Sequence, residues 1–345
     1  MTKTVTVTGT PTTSPTTIPY TPPFSVWHQK GYTEAEDNAW VELVKTFCEK
    51  YGIKEYEIVA PPVTDYLAKV DAAVSGGTPP DVAYMVIHSQ MTKYSFEGLH
   101  VDLTDIIEPI KDKIAKVAVE GAYQYDKTVG KALPYLVPMF NTSLYLHINK
   151  DLIRKAGEDP ESIPKEWDEF HNFFKRVQKK LGGPPPYAFG YPLSTISMGD
   201  GINNFQQLYF TMGGEFISKD HEFVIEDTKN KEIFIEIVDI MTSYIKEGYC
   251  PKEALTWDAP GNNTAFNTGL TVFMWNGTLS IPNYWLTKDP RMYYEGIATI
   301  DAPRGPHNEE WQYVLEIFGF NVYKKSKNVE LAKKFCAYMM EPEHQ

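Results

Sequence analysis

Cysteine is scarce in this chain: Cys48, Cys250 and Cys336 stand far apart. An odd count without C-x-x-C spacing argues against a disulfide framework and against a cysteine zinc site. Cys48 and Cys336 fall within helical patterns and read as buried thiols. Positive charge is also short, with 33 Lys and Arg against 45 Asp and Glu for a net charge of −12. That balance argues against nucleic acid and anionic membrane surfaces, which need clustered cations. No apolar run is long enough to span a bilayer, and Met1 to Ile18 lacks the apolar core of a signal peptide. Catalytic wording is missing too. The eight histidines show no H-E-x-x-H or H-x-H spacing, and no G-x-S-x-G, G-x-G-x-x-G or G-x-x-x-x-G-K-[ST] segment occurs. No metal and no cofactor are therefore expected. A glycosidase needs only two well-placed carboxylates, so it stays open as an alternative, with Glu309-Glu310 beside Trp311 its nearest trace.

What is present points to a large α/β protein. A length of 345 residues exceeds what one core serves, so two domains are expected. Aromatic residues make up 14%, including 22 Tyr and 7 Trp. Their flat apolar faces and polar edges suit carbohydrate binding, and they equally suit a big core. Thr2 to Pro23 is a Thr/Pro tract without periodicity, which reads as an extended, solvated linker. Such tracts join membrane anchors to exported domains, so the start at Met1 is expected to be processed or engineered.

Phe24 to Trp27 then reads as a strand. Thr33 and Glu36 have capping-box spacing before a helical stripe at Trp40, Leu43, Val44, Phe47 and Tyr51. Glu57 to Ala60 reads as a second strand and Tyr66 to Val74 as a second helix, which Gly76-Gly77 ends and Pro79-Pro80 forbids from continuing. Val82 to Ile87 is an unbroken apolar run, a strand buried on both faces. This β-α-β-α-β order with short loops implies a doubly wound parallel lobe. Further helices are expected near Ile202 to Met212 and Lys231 to Glu247, and a strand at Leu270 to Trp275. The Pro-rich stretch Ile300 to Pro306 reads as a linker back to a strand at Ile317 to Val322 and a helix at Val329 to Met340.

Five segments, in order, resemble one family. SGGTPPDV at 75–82 resembles the G-x-x-P-D-V turn of bacterial extracellular solute-binding proteins of the sugar-binding family 1 type. GKALPYLVP with LYLHINKDLIRKAG, SIPKEWDEF, NTAFNTGLTVFMWNG and KSKNVELAKKF are similar to that family's later motifs. His147 departs from them, standing where an aromatic is usual. The resemblance, which extends to maltose/maltodextrin-binding proteins, implies two doubly wound α/β lobes joined by a hinge, with ligand in the inter-lobe cleft. On it, residues 24–136 and 304–345 form lobe one and 138–300 lobe two, with 1–23 as linker and crossings near Val137 and Asp301 to Arg304. It implies an extracytoplasmic, monomeric carbohydrate-binding subunit that delivers its ligand to the membrane permease of an ATP-driven importer. Family members continue past the last helix, so a chain ending at Gln345 is expected to leave an apolar patch on lobe two.

Sugar sites combine stacked aromatics with side chains that satisfy hydroxyls, on loops after strand ends. By that rule Trp27, His28, Asp65 and His88 are candidates in the first lobe, and the resemblance places contacts near all four. In the second, Met139, Phe140 and Asn141 follow the crossover, and Asn203, Asn204 and Phe205 follow a Gly-Asp-Gly turn. Trp275 and Asn276 end a strand, and Trp311 lies in the return segment. Each has a plain structural alternative: core packing for Trp27, satisfied loop histidines for His28 and His88, helix capping for Asp65, an exposed loop ring for Trp311. Trp40 and Trp167 lie on helical stripes and read as core. Other solutes, such as a phosphorylated polyol or a peptide, remain alternatives to sugar. An anion would want Arg or Lys, and the candidate set holds none.

Overall fold

A computed structural model describes residues 18–31, 34–86, 91–194, 200–218, 222–258 and 260–344. The chain opens with β1 (Phe24–Trp27), α1 (Glu34–Tyr51), β2 (Tyr56–Val59), α2 (Val63–Ser75) and β3 (Val82–Val86). Next come α3 (Thr92–Phe96), α4 (Thr104–Ile107), α5 (Lys116–Ala122), β4 (Tyr123–Asp126), β5 (Lys131–Pro134) and β6 (Val137–Thr142). Then follow β7 (Tyr145–Asn149), α6 (Lys150–Lys155), α7 (Trp167–Lys180), α8 (Asp200–Thr211), α9 (Thr228–Lys246) and α10 (Gly261–Asn267). The last elements are β8 (Phe273–Asn276), α11 (Ser280–Lys288), β9 (Ile297–Ile300), β10 (Glu316–Val322) and α12 (Val329–Met339). They divide into two compact units, Met1–Asn141 with Glu316–Gln345, and Thr142–Leu315. No helix among the described residues is long and apolar enough to cross a membrane.

The first unit is built on a five-stranded sheet in the order β2-β1-β3-β10-β6. β1 pairs in parallel with β2 and β3, while β10 returns antiparallel to β3. β3 shows why its sequence carries no polar alternation. Val82 and Tyr84 pack into one core with Phe24, Phe47 and Phe335, and Ala83 and Met85 into another with Tyr66, Tyr94 and Tyr135. A strand covered on both faces gains from apolar residues at every position. The SGGTPPDV segment has two separate duties. Gly77, at φ 74°, lets Thr78 N–H reach Ala73 O and its own N–H reach Val74 O, which closes α2. Asp81, buried behind the prolines, accepts from Ser25 N (2.9 Å), Ser326 Oγ (2.6 Å) and Asn328 Nδ2 (2.8 Å). The turn is thus a staple joining β1 to the start of α12. Thr33, the expected cap of α1, lies outside the described residues.

The second unit's sheet runs β8-β7-β9, antiparallel throughout. A helix-strand alternation alone does not reveal strand direction: the parallel reading of the chain's start holds for β1 with β2 and β3. Helix α7 buries Trp167, Phe170, Phe173, Phe174 and Val177, the stripe that its spacing predicts. His171 sits in the same core, 2.7 Å through Nδ1 from Trp167 O and 2.9 Å through Nε2 from Tyr191 Oη. A carbonyl only accepts, so Nδ1 carries the proton and Nε2 accepts from the tyrosine. Burial drives this imidazole down to about 3 and keeps it neutral. All three cysteines are buried thiols, and burial raises each above its usual range.

The chain passes between units at Asn141/Thr142 and Leu315/Glu316, later on both legs than Val137 and Asp301 to Arg304. β6 stays with the first unit because it pairs with β10. The return stretch stays with the second through Arg304 N–H to Lys165 O (2.7 Å), Gln312 N–H to Thr211 Oγ1 (2.9 Å) and Ser143 Oγ to Val314 O (2.8 Å). Proline marks where a chain cannot be helical; it does not mark which core the segment joins.

Candidate functional site

In the second unit four elements converge on the turn that leaves β8. Asn276 closes the strand, and its Oδ1 accepts from Thr278 N (2.8 Å). Its Nδ2 donates to Asn263 Oδ1 of α10. Gly277 N–H donates to Asp200 Oδ1 (2.9 Å) at the first residue of α8, and Gly277 O accepts from Thr142 Oγ1 (2.7 Å). Asn262 Nδ2 donates to Asp200 Oδ2, which ties α10 to the same carboxylate. His147, fully buried on β7, holds the turn from below. Its Nε2–H donates to Thr278 O (3.3 Å) while Nδ1 accepts from Thr299 Oγ1 (2.9 Å), and burial holds its imidazole down at about 4. The imidazole thus supplies both a flat ring and a donor at the centre of β7. Burial raises the Asp200 carboxyl to about 6, with the Asn262 and Gly277 bonds opposing the shift.

Helix α8 continues this polar face. Asn203, Asn204 and Gln207 are buried on it at helical spacing. Asn204 Nδ2 and Gln207 Nε2 are buried donors without a partner among the described residues, a cost of roughly 1–3 kcal/mol each if left so. Gln207 Oε1 accepts from Ser143 Oγ (3.3 Å) and Trp311 Nε1 (3.4 Å). Gly201 lets α8 start close against the chain, since a Cβ there would collide with the carbonyl oxygen of Ser194. Among the described residues this cluster holds side-chain amides, hydroxyls and one carboxylate, and no lysine or arginine.

Trp275 is not at the surface of this turn. It is 0% exposed, stacked at 5.2 Å and 14° on Trp311, which in turn stacks on Trp167 at 6.4 Å. The expectation that Trp275 presents its ring to ligand is therefore corrected: an inward position on a strand with both faces covered sends the indole into the core. The residues that the exit turn does expose are Thr278 and Leu279. Trp311, a candidate contact with an exposed loop ring as its plain alternative, is the partly buried middle ring of the three.

The first unit places its candidates differently. His28 is buried at 1% exposure, its Nδ1 2.9 Å from Gln29 O and its ring 5.6 Å from Trp40, and burial lowers its pKa. Trp27 is half-buried, donates Nε1–H to Ser25 Oγ (2.9 Å) and has Lys69 over its ring. Asp65 is exposed in the first turn of α2 and makes no capping bond, because Pro62 holds the N-cap position. His88 lies outside the described residues. Phe140 is 47% exposed and stacks on Phe318 at 4.5 Å and 9°, with Tyr84 and Trp40 continuing the aromatic row inward. Asn141 beside it is exposed.

Asp200, Gln207, Asn262 and Asn263 belong to the polar cluster and were not singled out from sequence. Only the Gly-Asp-Gly wording at 199–201 hinted at the first; buried amides on α10 leave no periodic trace.

A family model for bacterial extracellular solute-binding protein matches residues 30–345. An arabinooligosaccharide-binding protein of Bacillus subtilis (strain 168) is 24% identical over 307 residues, 87% of this chain and 65% of that protein. The sn-glycerol-3-phosphate-binding periplasmic protein UgpB of Brucella abortus (strain 2308) is 27% identical over 179 residues, 47% of this chain and 37% of its own length. The chain thus spans less than two thirds of either relative. Among solved structures, a Thermotoga lettingae ABC transporter solute-binding protein bound with α-D-tagatose superposes with TM-score 0.76 at 18% identity, covering 93% of this chain and 77% of that one. Maltose-bound MalE3 of T. maritima gives 0.74 at 19%, with 93% and 78% covered. Both share the fold.

Proposed function

Because this chain belongs to the bacterial extracellular solute-binding proteins, we propose that it binds a neutral sugar or oligosaccharide and hands it to an ABC import permease. The observation that carries this reading is the polar cluster around the β8 exit turn, rich in amides and hydroxyls and free of cations among the described residues. Sugar hydroxyls both donate and accept, so they pair with amides and a carboxylate; a phosphate would meet Asp200 with no arginine or lysine to neutralise it. In the first unit, Phe140 offers an exposed flat ring of the kind that stacks on sugar C–H faces, with Asn141 beside it. An anchored, extracytoplasmic placement and a permease partner follow from the same reading.

Thermal shift and calorimetry against arabino-oligosaccharides, maltose, tagatose and sn-glycerol 3-phosphate test it. A sugar at 100 times its dissociation constant should stabilise the protein by about 2.7 kcal/mol. Binding of glycerol 3-phosphate in preference to every neutral sugar would refute the proposal.

A further inference from the structure

Asp200 does more in this cluster than a cap would. It stands at the first residue of α8, partly exposed, and its two oxygens take Gly277 N–H and Asn262 Nδ2–H. A carboxylate has about four acceptor positions, so two remain for other donors. No cation uses them among the described residues. α10, β8 and residues 277–280 carry no titratable side chain, and α8 carries only Tyr209, whose hydroxyl donates to Glu215 O. α9, which packs on α8, buries Asn230, Ile233 and Ile237. Asp258, ahead of α10, is exposed, and His147 is bound to Thr278 and Thr299. Spare acceptor capacity on a lone carboxylate, on the same helix as the buried unpaired donors Asn204 Nδ2 and Gln207 Nε2, is what a vicinal diol would complete.

We propose that Asp200 accepts a hydroxyl hydrogen bond from the bound sugar while fixing the β8 exit turn, so that sugar affinity depends on its ionisation and falls on acidification. This rests on the sugar-binding reading. A hydroxyl donated to the carboxylate favours the charged form, so the bound state holds its proton less tightly than the free protein does. Ligand and proton then compete. With the free carboxyl titrating near 6, burial being the cause, affinity declines through that region and is up to about tenfold weaker near pH 5 than near pH 7.5. A neutral sugar does not itself titrate there.

The test is calorimetric titration of the whole protein with the tightest neutral sugar from the panel above, from about pH 7.5 to about pH 5. Wild type should lose about tenfold, Asp200→Asn should bind weakly with a flat profile, and Asn262→Ala, which removes one bond to the charged form, should move the decline to higher pH. A flat wild-type profile, or an unchanged one in Asn262→Ala, overturns the proposal and leaves sugar binding standing. If Asp200→Asn does not fold, the wild-type and Asn262→Ala profiles decide. Failure of every neutral sugar to bind near pH 7.5 refutes the underlying reading and this proposal with it.

Discussion

At the scale of single residues, the contrast between Phe140 and Trp275 separates recognition from packing. Phe140 keeps nearly half its surface exposed, whereas Trp275 has none. Phe140→Ala is expected to weaken sugar binding by about 0.5–1.5 kcal/mol, the worth of one aromatic contact, with little change in unfolding midpoint. Trp275→Ala should instead cost about 3–5 kcal/mol of stability, the penalty for emptying a fully buried indole site. Urea unfolding beside calorimetric binding on the two variants checks both, and a Trp275→Ala protein of undiminished stability would contradict the burial. Asp81 makes the same point for a polar side chain. Its removal takes the acceptor from Ser25 N–H, Ser326 Oγ and Asn328 Nδ2, so Asp81→Ala should lower stability by about 3 kcal/mol while leaving ligand contacts alone.

At the scale of elements, the antiparallel strand β10 is what makes the first unit's sheet one surface from two distant chain segments. It lies between β3 and β6, and the β6 side is unusually close: a Cβ on Gly319 would collide with the Val137 carbonyl oxygen. Gly319→Ala must therefore push β6 away or bend β10. A loss of about 2 kcal/mol or more in urea unfolding is expected, with the amides of β6 and β10 exchanging faster than in wild type. Uniform exchange rates in the variant would show that the strands absorb the methyl group. The β8 exit turn is the counterpart in the second unit. It is clamped by α8, α10, β7 and Thr142 through side chains rather than by a ladder, which suits a turn whose exposed face must keep one shape.

At the scale of the whole molecule, buried histidines set the response to acid. His100, His147 and His171 are held neutral down to about 3, about 4 and about 3, in each case by burial, against 6.5 when unfolded. The unfolded chain takes up their protons first, so their contribution is fully present above pH 6.5 and is lost as pH falls through the folded values. Each group gives a slope of about 1.4 kcal/mol per pH unit in that window. Asp200 works in the opposite direction, since its folded carboxyl binds a proton before the unfolded one does, and it offsets about one histidine between pH 6 and 4. Unfolding free energy should therefore fall steeply from pH 6.5 to 4 in ligand-free protein, as urea titrations at several pH values will measure. A flat profile would contradict the burial of these rings.

The sequence alone determined the α/β class, the β-α-β-α-β start and the long helices α1, α2, α7, α8, α9 and α12, because periodicity of apolar residues and glycine-proline stops are local physics. α7 and β3 are legible residue by residue for that reason. The family is legible for another: its motifs record turns such as Gly77-Asp81, whose backbone and buried carboxylate leave little choice of residue. Tertiary structure alone decided which core each segment joins and which way a strand's side chains face. Phe140 and Trp275 both lie late in strands, followed by an asparagine, yet one lies exposed at the margin of a sheet and the other is buried and stacked on Trp311. The candidate site is mostly of this second kind. Asp200, Gln207, Asn262 and Asn276 come from α8, α10 and β8, up to 76 residues apart in number, and hydrogen bonds between side chains that distant have no periodicity to betray them.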